Sequence, residues 1–132
     1  GAFDALDVSQ LGSVEVSLGD GGLMGHPKRG TALSATIGRG RDTLAHQIGA
    51  HRSLVLAIAG ARPDVYAPNP HMTIARIRRR APRPGRNAAL RWAATLDLGG
   101  LIARVERVAL YTWSDDRSQT QFRIDRERLL TT

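Results

Sequence analysis

Residues 13–18 and 31–37 place apolar side chains at every second position. Successive side chains of a strand point to opposite faces of a sheet, so this alternation predicts two half-buried strands. The segment 19–30 between them is rich in glycine and carries Lys28 and Arg29. Glycine clusters of this kind interrupt regular structure, and we therefore expect a mobile, positively charged loop here.

Helical spacing replaces this alternation further along the chain. Leu44, Ile48 and Val55 fall on one stripe after the possible capping residues Asp42 or Thr43, which predicts a helix ending near residue 60 and packing on a sheet. A second helix is predicted over 87–96.

Three further strands complete the predicted fold. One covers the apolar run after Pro70, and two cover 102–113 and 121–125, joined by a polar hairpin-like connection at 114–118. The resulting order of strands and helices predicts an α+β fold in which helices pack on one face of an antiparallel sheet.

Composition limits the function classes. A length of 132 residues predicts one domain or part of one, 1–132. The absence of cysteine excludes disulfides, thiolate metal sites and cysteine nucleophiles, and no apolar run is long enough to span a membrane, so we expect a soluble, cytoplasmic protein. The net charge of +7 favours polyanionic partners, although an Arg-rich composition is also typical of GC-rich genomes.

The stretch from Asn69 to Ile77 carries the candidate chemistry. Asn69-Pro70 predicts a turn into a strand in which His71 and Thr73 share one face. Imidazole can transfer protons near neutral pH, and a hydroxyl on the same face can bind an anionic oxygen. A regular strand would place Ala75 on this face and Arg76 on the other, and a purely structural histidine is the alternative interpretation.

A run of arginines follows the strand. It begins at Arg76, includes Arg78 and Arg79, and is interrupted by prolines and a glycine over 82–85. One interpretation is a solvated connector, and the other is a group of guanidinium side chains that bind phosphate oxygens by bidentate contacts.

The segment from Pro70 to Arg76 resembles the second His-x-Thr motif, with its trailing arginine, of the two-histidine phosphoesterase superfamily. More specifically, it is similar to the motif of the bacterial RNA 2',3'-cyclic phosphodiesterases formerly called 2'-5' RNA ligases. The order of elements upstream and the 121–124 strand downstream also resemble that family. Its members have two such motifs in a bilobal fold, whereas this chain has only the second, which suggests a C-terminal portion.

The resemblance implies a metal-independent enzyme without cofactors, acting on RNA or cyclic nucleotide phosphates by hydrolysis or ligation. It implies that His71 is a general acid or base, that Thr73 binds the phosphate, and that Arg76, Arg78 and Arg79 assist the anion. The second histidine would come from a missing N-terminal half or a second chain. The alternatives are a non-catalytic RNA-binding module, or a half of an assembled fold.

Overall fold

The computed structural model describes all residues, 1–132. Its contacts divide the chain into two compact units, which we describe separately. We call Glu15–Ala45 and Pro68–Ala103 the sheet unit, and Gly1–Val14, His46–Ala67 and Arg104–Thr132 the hairpin unit. The chain therefore contains two contact clusters where its length predicted one domain or a partial domain.

The α+β class predicted from the sequence is confirmed, with six strands, two α-helices and one short 3-10 helix. The 3-10 helix spans Val8–Gln10. The strands and α-helices follow in chain order: β1 Val14–Met24, β2 Ala32–Ile37, α1 Arg41–Ile58, β3 His71–Arg76, α2 Arg83–Thr95, β4 Ile102–Val105, β5 Arg107–Trp113 and β6 Phe122–Leu129.

The first four strands form one sheet in the order β3-β2-β1-β4. β2 pairs antiparallel with both β1 and β3, so the predicted strand with His71 lies at the edge of the sheet. One face carries the core: Leu33 on β2 packs with Ile77 and with Ala93 of α2. α2 therefore covers this face, which we call the core face, and leaves the opposite face to polar residues.

The prediction of a mobile loop over 19–30 is wrong for its first half. β1 continues through the glycines to Met24, with a register shift between Leu18 and Gly21. The glycines fit because neighbouring atoms leave no room for a side chain at two of them. A Cβ on Gly19 would lie 2.4 Å from Thr36 Oγ1, and one on Gly21 would lie 2.6 Å from the carbonyl oxygen of Ala93.

Other element boundaries also differ from the sequence prediction, and β6 continues to Leu129, beyond the predicted end at residue 125. α2 begins at Arg83 rather than at residue 87, because Pro82 occupies the N-cap and Pro84 lies in the first turn, where a backbone N–H has no helical partner to lose. The predicted strand 102–113 is divided at Glu106 into β4 and β5.

The helix predicted from Asp42 is present as α1, but it buries none of its residues. Leu44 and Val55 of the predicted apolar stripe are partly buried, whereas Ile48 and Ile58 are exposed. The predicted apolar stripe of α1 is therefore only partly removed from solvent. No helix of the chain is both long and apolar enough to cross a membrane.

The hairpin unit is built around the antiparallel pair β5 and β6. Tyr111 and Trp113 on β5 face Ile124 and Phe122 on β6, and the Phe122 ring centroid lies 4.7 Å from that of Tyr111 and 5.1 Å from that of Trp113. Tyr111 and Trp113 are each 56% exposed, so the aromatic face of this hairpin is open to solvent.

Two adjacent glycines of β1 provide a matched test of the sheet packing. Gly21→Ala is expected to lower the free energy of unfolding by about 1–3 kcal/mol, because the added methyl group meets the backbone of α2. Gly22→Ala should leave it unchanged or raise it slightly, since no atom lies within 4 Å of that Cβ position. Urea unfolding of both variants measures the difference, and equal destabilisation would contradict the placement of α2.

Candidate functional site

The pairing of β2 with β3 brings four hydroxyl and imidazole side chains to one face of the sheet. His71 lies opposite Thr36, and Thr73 lies opposite Ser34. Directly opposed residues of an antiparallel pair point to the same side. The face opposite the core face therefore carries a group of polar side chains, as predicted for His71 and Thr73.

An irregularity in β3 adds Arg76 to this face. Ser34 pairs with Thr73, but the next residue back along β2, Leu33, pairs with Ala75, so Ile74 is an extra residue with no partner. Such a β-bulge exchanges the faces of all residues that follow it. The sequence-based expectation for Ala75 and Arg76 is thus wrong: Ala75 packs against the core, and Arg76, opposite Ala32, lies on the face of His71.

The imidazole of His71 is held by its own turn. Its Nδ1 lies 2.7 Å from the carbonyl oxygen of Asn69, which can only accept a hydrogen bond. Nδ1 therefore carries the proton in the neutral ring, and Nε2 presents a lone pair. The side chain is exposed, so this nitrogen can reach a ligand and act as a proton acceptor.

Thr73 and Ser34 form a pair of hydroxyl groups beside the histidine. Their oxygens lie 3.3 Å apart, and either can donate to the other. Ser34 is only 2% exposed, whereas Thr73 is exposed. A buried hydroxyl that accepts from Thr73, or donates to it, restricts the directions in which the Thr73 hydroxyl can bind an external oxygen.

The space beside these side chains is open. Gly22 of β1 lies opposite Ser34, on the same face, and a Cβ there would meet no atom within 4 Å. At the end of the strand, the Asn69 side-chain amide lies 3.4 Å from the sulfur of Met24 and so connects the β3 turn to β1. A small anion could therefore approach His71 and Thr73 from this face.

The two units differ in formal charge. The sheet unit contains eleven of the 19 basic residues and four of the 12 acidic residues, so it accounts for the entire formal charge of +7 and the hairpin unit is neutral. No acidic residue occurs over 65–96. None of the ion pairs in the structure involves His71, Arg76, Arg78 or Arg79.

The other two predicted arginines lie elsewhere in the sheet unit. Arg78 and Arg79 follow β3 and line a cavity of about 470 Å³. The remaining lining residues are Lys28, Arg29, Thr31, Ala81 and Arg86. The structure thus places Arg76 with His71 and Thr73, and groups Arg78 and Arg79 with the 25–31 segment instead.

Sequence reasoning did not identify Ser34 and Thr36 as neighbours of the motif. Their positions in a strand were predicted, but the pairing of β2 with β3 depends on contacts between residues far apart in the chain. The alternation of Ser34 and Thr36 with buried Leu33 and Ala35 is the signal that could have placed them on a polar face.

No group of three or more histidine, cysteine, aspartate or glutamate side chains is arranged to hold a metal ion. The carboxyl groups with a displaced pKa lie in the hairpin unit. Hydrogen bonds from the Ser9 side chain and backbone lower the pKa of Asp7, and those from Ser118 lower that of Asp116. Both carboxylates stabilise local turns and take no part in the polar face around His71.

Comparisons of the chain with protein-family models, with curated proteins and with solved structures give no match. The interpretation of this site therefore depends on its own geometry and chemistry.

The hydrogen bonds of two histidines predict opposite neutral tautomers. His71 should be protonated at Nδ1, because that atom faces the Asn69 carbonyl oxygen. His26 should be protonated at Nε2, because its Nδ1 accepts from the backbone N–H of Lys28 at 3.1 Å. Long-range ¹H–¹⁵N NMR correlations of the two neutral rings distinguish the tautomers.

His26 is the internal control for this measurement, since both rings are exposed and lie in the sheet unit. Finding the Nε2-protonated tautomer in His71 would contradict the orientation that leaves its outer nitrogen free to accept a proton.

Proposed function

We propose that the polar face around His71 and Thr73 is half of a phosphodiesterase site that acts on RNA ending in a 2',3'-cyclic phosphate. His71 serves as a general acid or base, Thr73 binds a nonbridging phosphate oxygen, and Arg76 neutralises the anion. The reaction needs neither a metal nor a cofactor, and the protein acts in the cytoplasm. The same site could catalyse 2'-5' RNA ligation.

The observation that carries this proposal is the bulge at Ile74. It brings a guanidinium group to the face that already holds an imidazole with a free Nε2 and a paired hydroxyl. An imidazole can transfer a proton, a hydroxyl can donate to a phosphate oxygen, and a guanidinium group can neutralise the phosphate charge, so this face offers three of the groups that hydrolysis of a phosphate diester uses. A structural histidine at an exposed strand edge would need neither a neighbouring hydroxyl nor a neighbouring guanidinium group.

The proposed reaction has two proton transfers. Water attacks the phosphorus atom and loses a proton to a neutral imidazole, while the ribose 2' or 3' oxygen leaves and receives a proton from a protonated group on the opposite side. His71 performs one of these transfers. A second histidine from outside this chain segment, in a missing N-terminal half or a second chain, performs the other.

Two further candidate functions each have a specific observation in their favour. A non-catalytic RNA-binding module is favoured by the concentration of the whole net charge in the sheet unit, since phosphate neutralisation dominates nucleic-acid affinity. A half of an assembled fold is favoured by the exposed aromatic face of the hairpin unit, because contiguous exposed apolar surface is typical of an interface.

Turnover of a short RNA with a 2',3'-cyclic phosphate end tests the enzymatic proposal. Together with the segment or second chain that supplies the second histidine, which we call the completing half, the protein should hydrolyse the cyclic phosphate in the presence of EDTA. His71→Ala should lower kcat of this reaction roughly 100-fold to 10,000-fold. Without that half, the rate should be lower by a similar factor.

His46→Ala is the matched control, because His46 is also exposed and the proposal assigns it no role. Turnover that survives His71→Ala would contradict the enzymatic proposal. If neither the unmodified protein nor the His71→Ala variant turns over the RNA, but the variant still binds it, the RNA-binding module is favoured instead.

The role of Arg76 gives a separate test. Arg76→Ala should lower kcat/KM roughly tenfold or more, because a charge-assisted contact to the phosphate is lost. Arg80→Ala removes the same charge from an exposed position just beyond β3 and should have little effect. Equal effects of the two substitutions would show that Arg76 contributes only to the general field of the unit.

A further inference from the structure

A second basic feature of the sheet unit lies beyond the end of β3. Four exposed cationic side chains surround the cavity of about 470 Å³: Lys28 and Arg29 from the segment after β1, and Arg78 and Arg79 from the segment after β3. None of the four forms an ion pair. Like charges gathered without partners repel one another, so an anion in the cavity would relieve this repulsion.

Arg86 of α2 holds one side of the cavity, the segment after β1, in place. Its guanidinium group donates to the carbonyl oxygens of Gly30 at 2.7 Å and Pro27 at 2.9 Å. These two carbonyls flank Lys28 and Arg29, so the backbone that carries both side chains is held against α2. The backbone of Lys28 and Arg29 is therefore ordered before any ligand arrives, which reduces the entropy cost of binding on this side of the cavity.

The start of α2 adds to the positive potential. Ala81 and Arg86, which line the cavity, lie on either side of the first turn of this 13-residue helix. Its N-cap is Pro82, and no side chain caps the free N–H groups. The positive end of the helix dipole is therefore uncompensated beside four cationic side chains.

We propose that this cavity binds a backbone phosphate of the RNA strand whose cyclic end lies at His71 and Thr73. The inference rests on the proposed function, which it deepens by predicting a preference for oligonucleotides over mononucleotides. β3 connects the two places: Thr73 and Arg76 lie on the strand, and Arg78 and Arg79 follow it. From Thr73 to Arg78 the chain spans at most roughly 17 Å, which a short piece of single strand can bridge.

The size of the cavity also favours a strand over a free ion. A volume of about 470 Å³ falls in the range of nucleotide-sized ligand sites and far exceeds one phosphate ion. Thr31 supplies the only hydroxyl of the lining, which otherwise offers charge and no fixed pattern of acceptors. We therefore expect recognition of the phosphate backbone without base specificity.

The test compares two double variants that each remove two positive charges from the sheet unit. Arg78→Ala/Arg79→Ala removes cavity cations, and Arg83→Ala/Arg91→Ala removes two exposed, unpaired arginines of α2 that do not line the cavity. Fluorescence anisotropy measures the Kd of a short labelled RNA with a 2',3'-cyclic phosphate end at several salt concentrations. For each protein, the same assay then measures how well the cyclic mononucleotide, the unlabelled RNA and inorganic phosphate displace the labelled RNA.

The cavity variant should bind RNA roughly tenfold or more weakly and lose about one to two units of salt slope, whereas the control should change little. Affinity for the cyclic mononucleotide should be the same in all proteins. Lys28→Ala removes a cation from the other side of the cavity and should reproduce part of this loss of RNA affinity. Equal weakening in the two double variants would overturn the inference, and so would inorganic phosphate competing as well as the RNA.

These outcomes are independent of turnover. Failure of the proposed enzymatic function would appear as a lack of cyclic phosphate hydrolysis, while the difference in RNA affinity between the two double variants would remain. His71→Ala should retain the affinity conferred by the cavity, so loss of RNA binding in that variant would contradict a separate subsite.

Discussion

The extra residue in β3 is the constraint on which the candidate site depends. A regular strand cannot place Arg76 on the face of His71 and Thr73, because His71 and Arg76 are five positions apart, an odd number, and the side chains alternate. Before the bulge, His71 and Thr73 lie on the polar face. Because Ile74 is unpaired, the residues after the bulge exchange faces. Ala75 then packs with Leu33 and Ile77 against α2, while Arg76 joins the histidine and the hydroxyls. Core packing and site geometry thus depend on the same irregularity.

The distribution of charge gives the sheet unit a distinct character. All of the excess positive charge lies in this unit, and the arginines after β3 have no acidic partners. Arg86 differs from these arginines because its guanidinium group donates to two backbone carbonyl oxygens, and so orders the segment that carries Lys28 and Arg29. A surface selected only for solubility would need neither the buried hydroxyl of Ser34 beside Thr73 nor this ordered segment. Both features are what the proposed anion-binding surface requires.

Local patterns in the sequence were sufficient for most elements and for the motif, and insufficient wherever a distant contact decided the outcome. Alternation located β2, and the Asn-Pro turn located the start of β3. The glycines of β1 indicated a loop by composition, but pairing with β2 and the close approach of α2 keep them in a strand. Pro82 and Pro84 suggested a connector, although proline is compatible with a first helical turn. The bulge has no local signature, because it depends on how β3 pairs with β2, a strand far away in the sequence.

NMR titration with a nucleoside 2'-monophosphate tests whether His71, Thr73 and Arg76 bind one phosphate group, as we propose. Binding of this product-like ligand does not require the second histidine. We expect the resonances of the His71 ring, the Thr73 amide and the Arg76 guanidinium to shift together along one saturable curve, while those of Met72 and Ala75 on the core face move little. Shifts confined to Lys28, Arg29, Arg78 and Arg79, with His71 and Thr73 unaffected, would contradict this proposal.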